Sequence, residues 1–258
     1  MNSHLISKVV LKKFSVNNKV AVHDKSSDAL IDLRVIDSIA CIEQDADILG
    51  DLEKKWCNEI ETHMPKIYNS LELGYLLDRP THIKIIKRLL VLHFIRSSVF
   101  YKIYSEKTVQ MVDEFTARVK AQAPEESKNQ DEQIRSYGER ELAIFLPVIL
   151  QDQIAKIEED IQPHGIEIGI ASEGFEFVIG DNPVITATTD GKVGILNGVP
   201  FKSSIAFGMP LTPKHLVTLK SKDISNRYVT LSGTQVEAAN RKQKIAATEV
   251  YLSRPKSS

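Results

Sequence analysis

The stretch Glu173–Ala187, EGFEFVIGDNPVITA, restricts the possible folds of this chain more than any other. Phe175, Phe177 and Ile179 alternate with Glu176 and Val178, the period of a half-buried strand. Gly180-Asp181-Asn182-Pro183 then breaks the run. Glycine permits a positive φ, Asp and Asn side chains hydrogen-bond within turns, and proline biases Asn182 toward an extended backbone. A second apolar run, Val184–Ala187, follows. A carboxylate and a carboxamide are thus set side by side at the lip of a sheet, which suits a site. The same four residues also suit a plain strand end, with the aspartate capping backbone amides.

Upstream of this stretch the periodicity is helical. Ile48, Leu52, Trp56, Ile60, Met64, Ile67 and Leu71 recur at steps of three and four over Ala46–Glu72, with Glu53, Glu59 and Glu61 on other faces. Asp45 or Asp47 is placed to cap the start, and Pro65 predicts a kink or a restart. A second helix is expected from Thr81 to about Tyr104. It is apolar around most of its circumference, which marks a central buried helix. His93 and Arg96, three apart, share one face of it. A buried charge must be paired or face a cleft, so Arg96 either meets a carboxylate from a neighbouring helix or lines a ligand site. Helices over 106–123 and Ile134–Asp160, the latter bent at Pro147, flank a polar loop, Ala123–Gln133.

After Gln162-Pro163-His164-Gly165 the pattern shifts to strands: Ile166–Ile170, Phe175–Ile179, Val184–Ala187, Val193–Leu196, Ser204–Phe207 and Leu216–Leu219. Asp190-Gly191 is a hairpin signal, and Pro210–Pro213 reads as a rigid connector. A helix over Thr234–Ala247 and a strand over Glu249–Leu252 close the chain. At the other end lie a short apolar and basic element up to Phe14 and a short strand, Val20–Val22. Helices followed by strands predict an α+β fold. In it a mostly helical N-terminal part, to about residue 162, packs on a largely antiparallel β-sheet with a final helix, together one domain.

Composition narrows the function classes. The 258 residues are 42% hydrophobic and 26% charged, which is ordinary for a globular core. The 33 basic and 34 acidic residues nearly cancel, so no global field points to nucleic acid or membrane, although a local basic patch stays open. Cys41 and Cys57 have no metal-ligand spacing and read as free thiols. Neither a signal peptide nor an apolar run of membrane length is present, so the expected location is the cytoplasm. Phosphate-binding loop, dinucleotide, HExxH and nucleophile-elbow motifs are missing.

The ordered set of motifs resembles an uncharacterised bacterial family, domain of unknown function 4238. His4-Leu5-Ile6-Ser7-Lys8-Val9-Val10-Leu11-Lys12-Lys13-Phe14 is similar to that family's opening: a His, an apolar stretch, Leu, two basic residues and Phe. A strand like Val20–Asp24 follows, then an acidic helix like Leu52–Ile67 and a central helix with an Arg at the place of Arg96. An apolar strand ending in Ser-Asp-Asn-Pro is matched by Gly180–Pro183, a Pro-Leu-(Ser/Thr)-Pro segment by Pro210–Pro213, and a late Asn by Asn240. The family usually has Pro where Ser7 stands and Ser where Gly180 stands. The resemblance implies a fold unit and brings no chemistry of its own.

Residue types and family pattern together nominate a site. His4, Asp181 and Glu61 are the candidate catalytic groups; Arg96, Asn182, His93 and Asn240 are the candidate substrate-binding groups. An arginine offers a planar fork to a phosphate or carboxylate, and a His or carboxylate suits a general base for water. Asp181 and Asn182 would also offer oxygen ligands to Mg²⁺. The expectation is a hydrolase of phosphodiesters or other phosphoryl groups, nuclease-like, serving as a toxin or defence effector, with nucleic acid or a nucleotide as partner. The alternative is a ligand-binding or protein-interaction module in which the same residues are structural. Oligomeric state is left open.

Overall fold

The computed structural model describes residues 3–4, 6–39, 41–42, 58–122, 130–187, 206–220 and 223–256. The cap candidates Asp45 and Asp47, residue Glu53, the hairpin signal Asp190-Gly191 and the Val193–Leu196 run lie outside them.

A short strand β1 (Ser3–His4) pairs antiparallel with β4 (Cys41–Ile42), His4 opposite Cys41. Helix α1 (Lys8–Phe14) buries Val10, Leu11 and Phe14. Asn17 and Asn18 then both take positive φ, 50° and 61°, which short polar side chains tolerate, and turn the chain into β2 (Lys19–Asp24). Strand β3 (Leu30–Val35) returns antiparallel to β2.

The helical part contains a single-turn 3-10 helix, Glu61–His63, and α2 (Met64–Glu72), whose first turn holds Pro65. The proline therefore restarts the helix, as its missing N–H favours. Helix α3 (Pro80–Ile95) is the buried centre: Leu89, Leu90 and Val91 have no exposed surface. It ends well short of Tyr104, which corrects the sequence reading. Ser97 Oγ donates to the Phe94 carbonyl (2.7 Å), a hydroxyl competing with the helical ladder. The chain restarts as α4 (Ser98–Gln122), which absorbs the predicted 106–123 helix. Helix α5 (Asp131–Ile161) runs helical through Pro147. Among the described residues no helix is long and apolar enough to cross a membrane.

The remaining strands are β5 (Ile166–Ala171), β6 (Ile179–Gly180), β7 (Ile185–Ala187), β8 (Ala206–Thr212), β9 (His215–Lys220), β10 (Arg227–Leu231) and β11 (Val250–Ser253); α6 (Gly233–Ala246) precedes β11. They form a five-stranded sheet of order β10-β5-β9-β8-β7 and a four-stranded sheet of order β3-β2-β11-β6. All pairings are antiparallel except β5 with β10. The fold is α+β. The second sheet joins both chain ends, because β11 lies between β2 and β6.

Two further expectations are corrected. Pro210–Thr212 is no connector: it is the end of β8, and the turn to β9 is Pro213-Lys214. The predicted strand Phe175–Ile179 shrinks to Ile179–Gly180. Its first half is held by side chains in place of a neighbouring strand, and those side chains belong to the candidate site.

Candidate functional site

Hydrogen bonds sort the nominated residues into two groups. One gathers where the Gly180–Pro183 turn meets the end of α6. Asn240 reads the chain before the turn like a strand partner: its Oδ1 accepts the Val178 N–H and its Nδ2 donates to the Glu176 carbonyl, both at 2.9 Å. One helical turn on, Gln243 Oε1 accepts the Gly180 N–H (3.0 Å) and its Nε2 donates to the Pro183 carbonyl (2.9 Å). Asn182 Nδ2 donates to the Ala246 carbonyl (3.0 Å) and to Thr248 Oγ1 (2.8 Å). Lys25 Nζ also donates to the Ile245 carbonyl (3.1 Å), a cation at a helix C-terminus.

Asp181 anchors this corner. It is 6% exposed. Its Oδ1 accepts the Thr248 N–H (2.6 Å), and its Oδ2 accepts those of Glu249 (2.8 Å) and Val250 (3.2 Å). Three amides on one carboxylate are charge-assisted bonds that satisfy the donors of the α6–β11 link. The positive ends of those N–H groups surround the carboxylate, so it is ill suited to hold Mg²⁺. Among the described residues no three His, Cys, Asp or Glu side chains gather closely enough for a metal ion. Gly180 lets the chain approach α6 closely: a Cβ there would lie 3.0 Å from the Gln243 carbonyl oxygen and 3.1 Å from the Ala247 Cβ, so a side chain would make α6 give by a few tenths of an ångström.

The second group forms at the C-terminal end of α3. Arg96 follows the helix's last residue and is 6% exposed. Its Nη1 donates to Ser7 Oγ (3.1 Å) and lies 3.5 Å from Glu61 Oε1, whose side chain is 22% exposed. His93 is fully buried: Nδ1 bonds the Leu89 carbonyl (2.9 Å) and Nε2 accepts the Ser7 N–H (3.1 Å). These partners fix a neutral tautomer, with the proton on Nδ1. Burial, assisted by the Arg96 charge, pushes its pKa down to about 3. A histidine so held positions Ser7 and is a poor general base.

Tyr68 packs on the same corner. Its hydroxyl is buried and makes no hydrogen bond among the described residues, and burial together with the Glu61 carboxylate drives its pKa upward. His4 enters on β1, three residues before Ser7. Glu59 points elsewhere, to Arg88 at 2.8 Å.

The nominated residues therefore divide. Arg96, His93 and Glu61 belong to one corner, with His4 close by in the chain. Asp181, Asn182 and Asn240 belong to the other. Sequence reasoning missed Ser7, Tyr68 and Gln243. Gln243 was readable, since it lies three residues after Asn240 and hence on the same helix face.

His93 predicts a pH dependence. Its folded pKa lies below the ordinary 6.5, so the unfolded chain takes up the proton first as pH falls. Stability is complete above the unfolded value and drains below it, by at most about 1.4 kcal/mol per pH unit until the folded pKa is reached. Urea titrations at pH 7 and pH 5 should show His93→Gln losing less between the two than the parent. His23, His82, His164 and His215, also shifted down mainly by burial, leave a residual slope in the variant. Equal losses in parent and variant would refute the assignment.

Comparison with known proteins agrees with the arrangement of motifs. No curated protein and no solved structure matches the chain. One family model does, described as "Protein of unknown function (DUF4238)", and it spans residues 2–256. With nearly the whole length matched, the chain belongs to the DUF4238 family.

Proposed function

We propose that this protein is a cytoplasmic hydrolase of phosphoryl groups, with a nucleotide or nucleic acid as substrate, and that its site is the Ser7–Glu61–Tyr68–Arg96 corner. The observation that carries the reading is the Tyr68 hydroxyl, buried beside the Glu61 carboxylate and without a hydrogen bond among the described residues. A buried donor of this kind is costly unless an acceptor enters the corner. An entering phosphoryl oxygen has much to gain there. The guanidinium, the Ser7 hydroxyl and the Tyr68 hydroxyl are all able to donate to it. Displaced from Arg96, the Glu61 carboxylate is a base for water, and His4 is the candidate partner acid.

Asp181 has no place in this reading, because its oxygens hold the α6–β11 link. That same observation favours the second reading, a binding module without chemistry, in which both corners are structural.

The test uses purified protein with an activated phosphodiester, an activated phosphomonoester and single-stranded RNA, each with and without Mg²⁺. Turnover of one of them is expected. Glu61→Gln should lower kcat by about 100-fold, the scale of losing a general base, with the thermal midpoint retained to within a few degrees. Absence of turnover on all substrates would end the catalytic reading, and turnover unchanged in Glu61→Gln would end this assignment of the base.

A further inference from the structure

Strand β3 is an outer strand of the four-stranded sheet, and among the described residues no strand pairs with its far edge. Leu30, Ile31, Leu33 and Val35 are 56%, 48%, 45% and 40% exposed. The strand has no proline, and its only charges are Asp32 and Arg34, of opposite sign.

We propose that β3 is a homodimerisation edge, pairing antiparallel with β3 of a second copy across a twofold axis centred on Leu33. Backbone direction selects the residues involved. The Ile36 N–H donates back to the Asn18 carbonyl (3.1 Å), so Ile36 points its amide at β2. Alternation then turns Arg34 and Asp32 toward β2, opposite Val20 and Val22, and turns Leu33 and Val35 to the free edge. The Leu33 N–H shows this directly, because it bonds the Asp32 carboxylate (2.6 Å) and no atom of β2. Ile31 sits at the register shift opposite Val22 and His23, a bulge that ends the regular edge.

Charge selects the register. A twofold pair must join outward amides to outward amides, which leaves three centres. Centring on Asp32 sets two carboxylates opposite each other, and centring on Arg34 sets two guanidinium groups opposite each other; both repel. Centring on Leu33 sets Asp32 opposite Arg34 of the second copy, twice, and Leu33 opposite Leu33, with each Val35 next to the bulged Ile31 of the other copy at the end of the ladder. The apolar side chains then cover one another on one face while the charges pair on the other. The Asp32 carboxylate exchanges the Leu33 amide for the facing arginine, and the freed amide enters the new ladder. The occupant that fits this edge is thus its own copy. The contact is small, which predicts a dimer dissociating in the micromolar range.

Sedimentation velocity over a concentration series tests this with the full chain. The parent should shift from monomer to twice the mass. Arg34→Asp, which faces two carboxylates with two more, should weaken association about tenfold or more. The exchanged pair Asp32→Arg/Arg34→Asp should restore it. Neither side chain is buried, so folding is retained, and circular dichroism checks this. A parent that stays monomeric overturns the proposal. So does a dimer indifferent to Arg34→Asp, or one that the exchange fails to restore.

Discussion

Replacing Asp181 with alanine should cost about 4 kcal/mol of folding stability. Its carboxylate accepts three backbone amides at 2.6, 2.8 and 3.2 Å. Bonds to a charged acceptor contribute roughly 1.5–3 kcal/mol each, and the three orphaned donors belong to the exposed Thr248 and Glu249 and the half-buried Val250, within reach of water. Water entering the vacated space recovers part of the loss, hence about 4 and not the full sum. Against a typical total of about 5–15 kcal/mol, that leaves little margin. For a chain of this size the thermal midpoint should fall by roughly 10 °C. Asp181→Asn should lose less, about 2–3 kcal/mol, because its carbonyl still accepts while its amide faces other donors. Denaturant titrations with unchanged slope are the measurement. A midpoint within a degree or two of the parent for Asp181→Ala would show that the α6–β11 link does not depend on this carboxylate.

That prediction recasts a turn that the sequence offers for two uses. Gly180-Asp181-Asn182-Pro183 is legible as a break between apolar runs, because glycine, Asx and proline chemistry is local. What Asp181 caps is not local. Its partners lie 67 to 69 residues away, and no spacing rule reaches that far. The same holds for the strand expected at Phe175–Ile179. Its alternation is real, with Phe177 and Ile179 buried. Yet what lies beside Glu176 and Val178 is a helix face with Asn240 on it, and carboxamides answer the backbone where a strand would. Period-two patterning reports burial, not which neighbour supplies the hydrogen bonds.

The helices show the complementary case. The apolar residues of α3 are readable because burial on every side leaves a composition signature. Its end at Ile95 is not, since Val99, Phe100 and Ile103 continue the apolar run into the next helix. At the stop Ser97 bonds the Phe94 carbonyl, a side-chain bond that competes with the helical ladder without leaving a periodic signal. Strand β10 was within reach. Tyr228, Val229 and Thr230 have strong strand preference, but the run is short, and its parallel pairing with β5 joins residues about 60 apart in sequence. Likewise Arg96 is legible as a charge in need of a partner. That the partner would be Glu61, with Ser7 beside it, depends on how the chain's first residues are brought onto α3.

The Arg96 pair is where stability and proposed function can be separated. Arg96→Ala should lose about 3 kcal/mol, at the lower end for breaking a buried ion pair, because Glu61 at 22% exposure is already partly hydrated. The converse is worse for its size. Glu61→Met leaves a guanidinium, 6% exposed, that cannot discharge itself, and should cost about 3 kcal/mol although the group removed is the more exposed of the two. The double variant Arg96→Met/Glu61→Met removes both charges and keeps most of the volume. It should be more stable than the two single losses added together, by a coupling of about 1–2 kcal/mol. Loss of the Arg96 charge also removes one of the two influences depressing His93, so that pKa should rise, and the acid-side loss due to His93 should end at a higher pH and be smaller in total. Strict additivity would mean that the 3.5 Å contact contributes nothing to folding. A double variant that regains stability but not phosphoryl binding would mean that the chain keeps a costly buried charge for its ligand rather than for its fold.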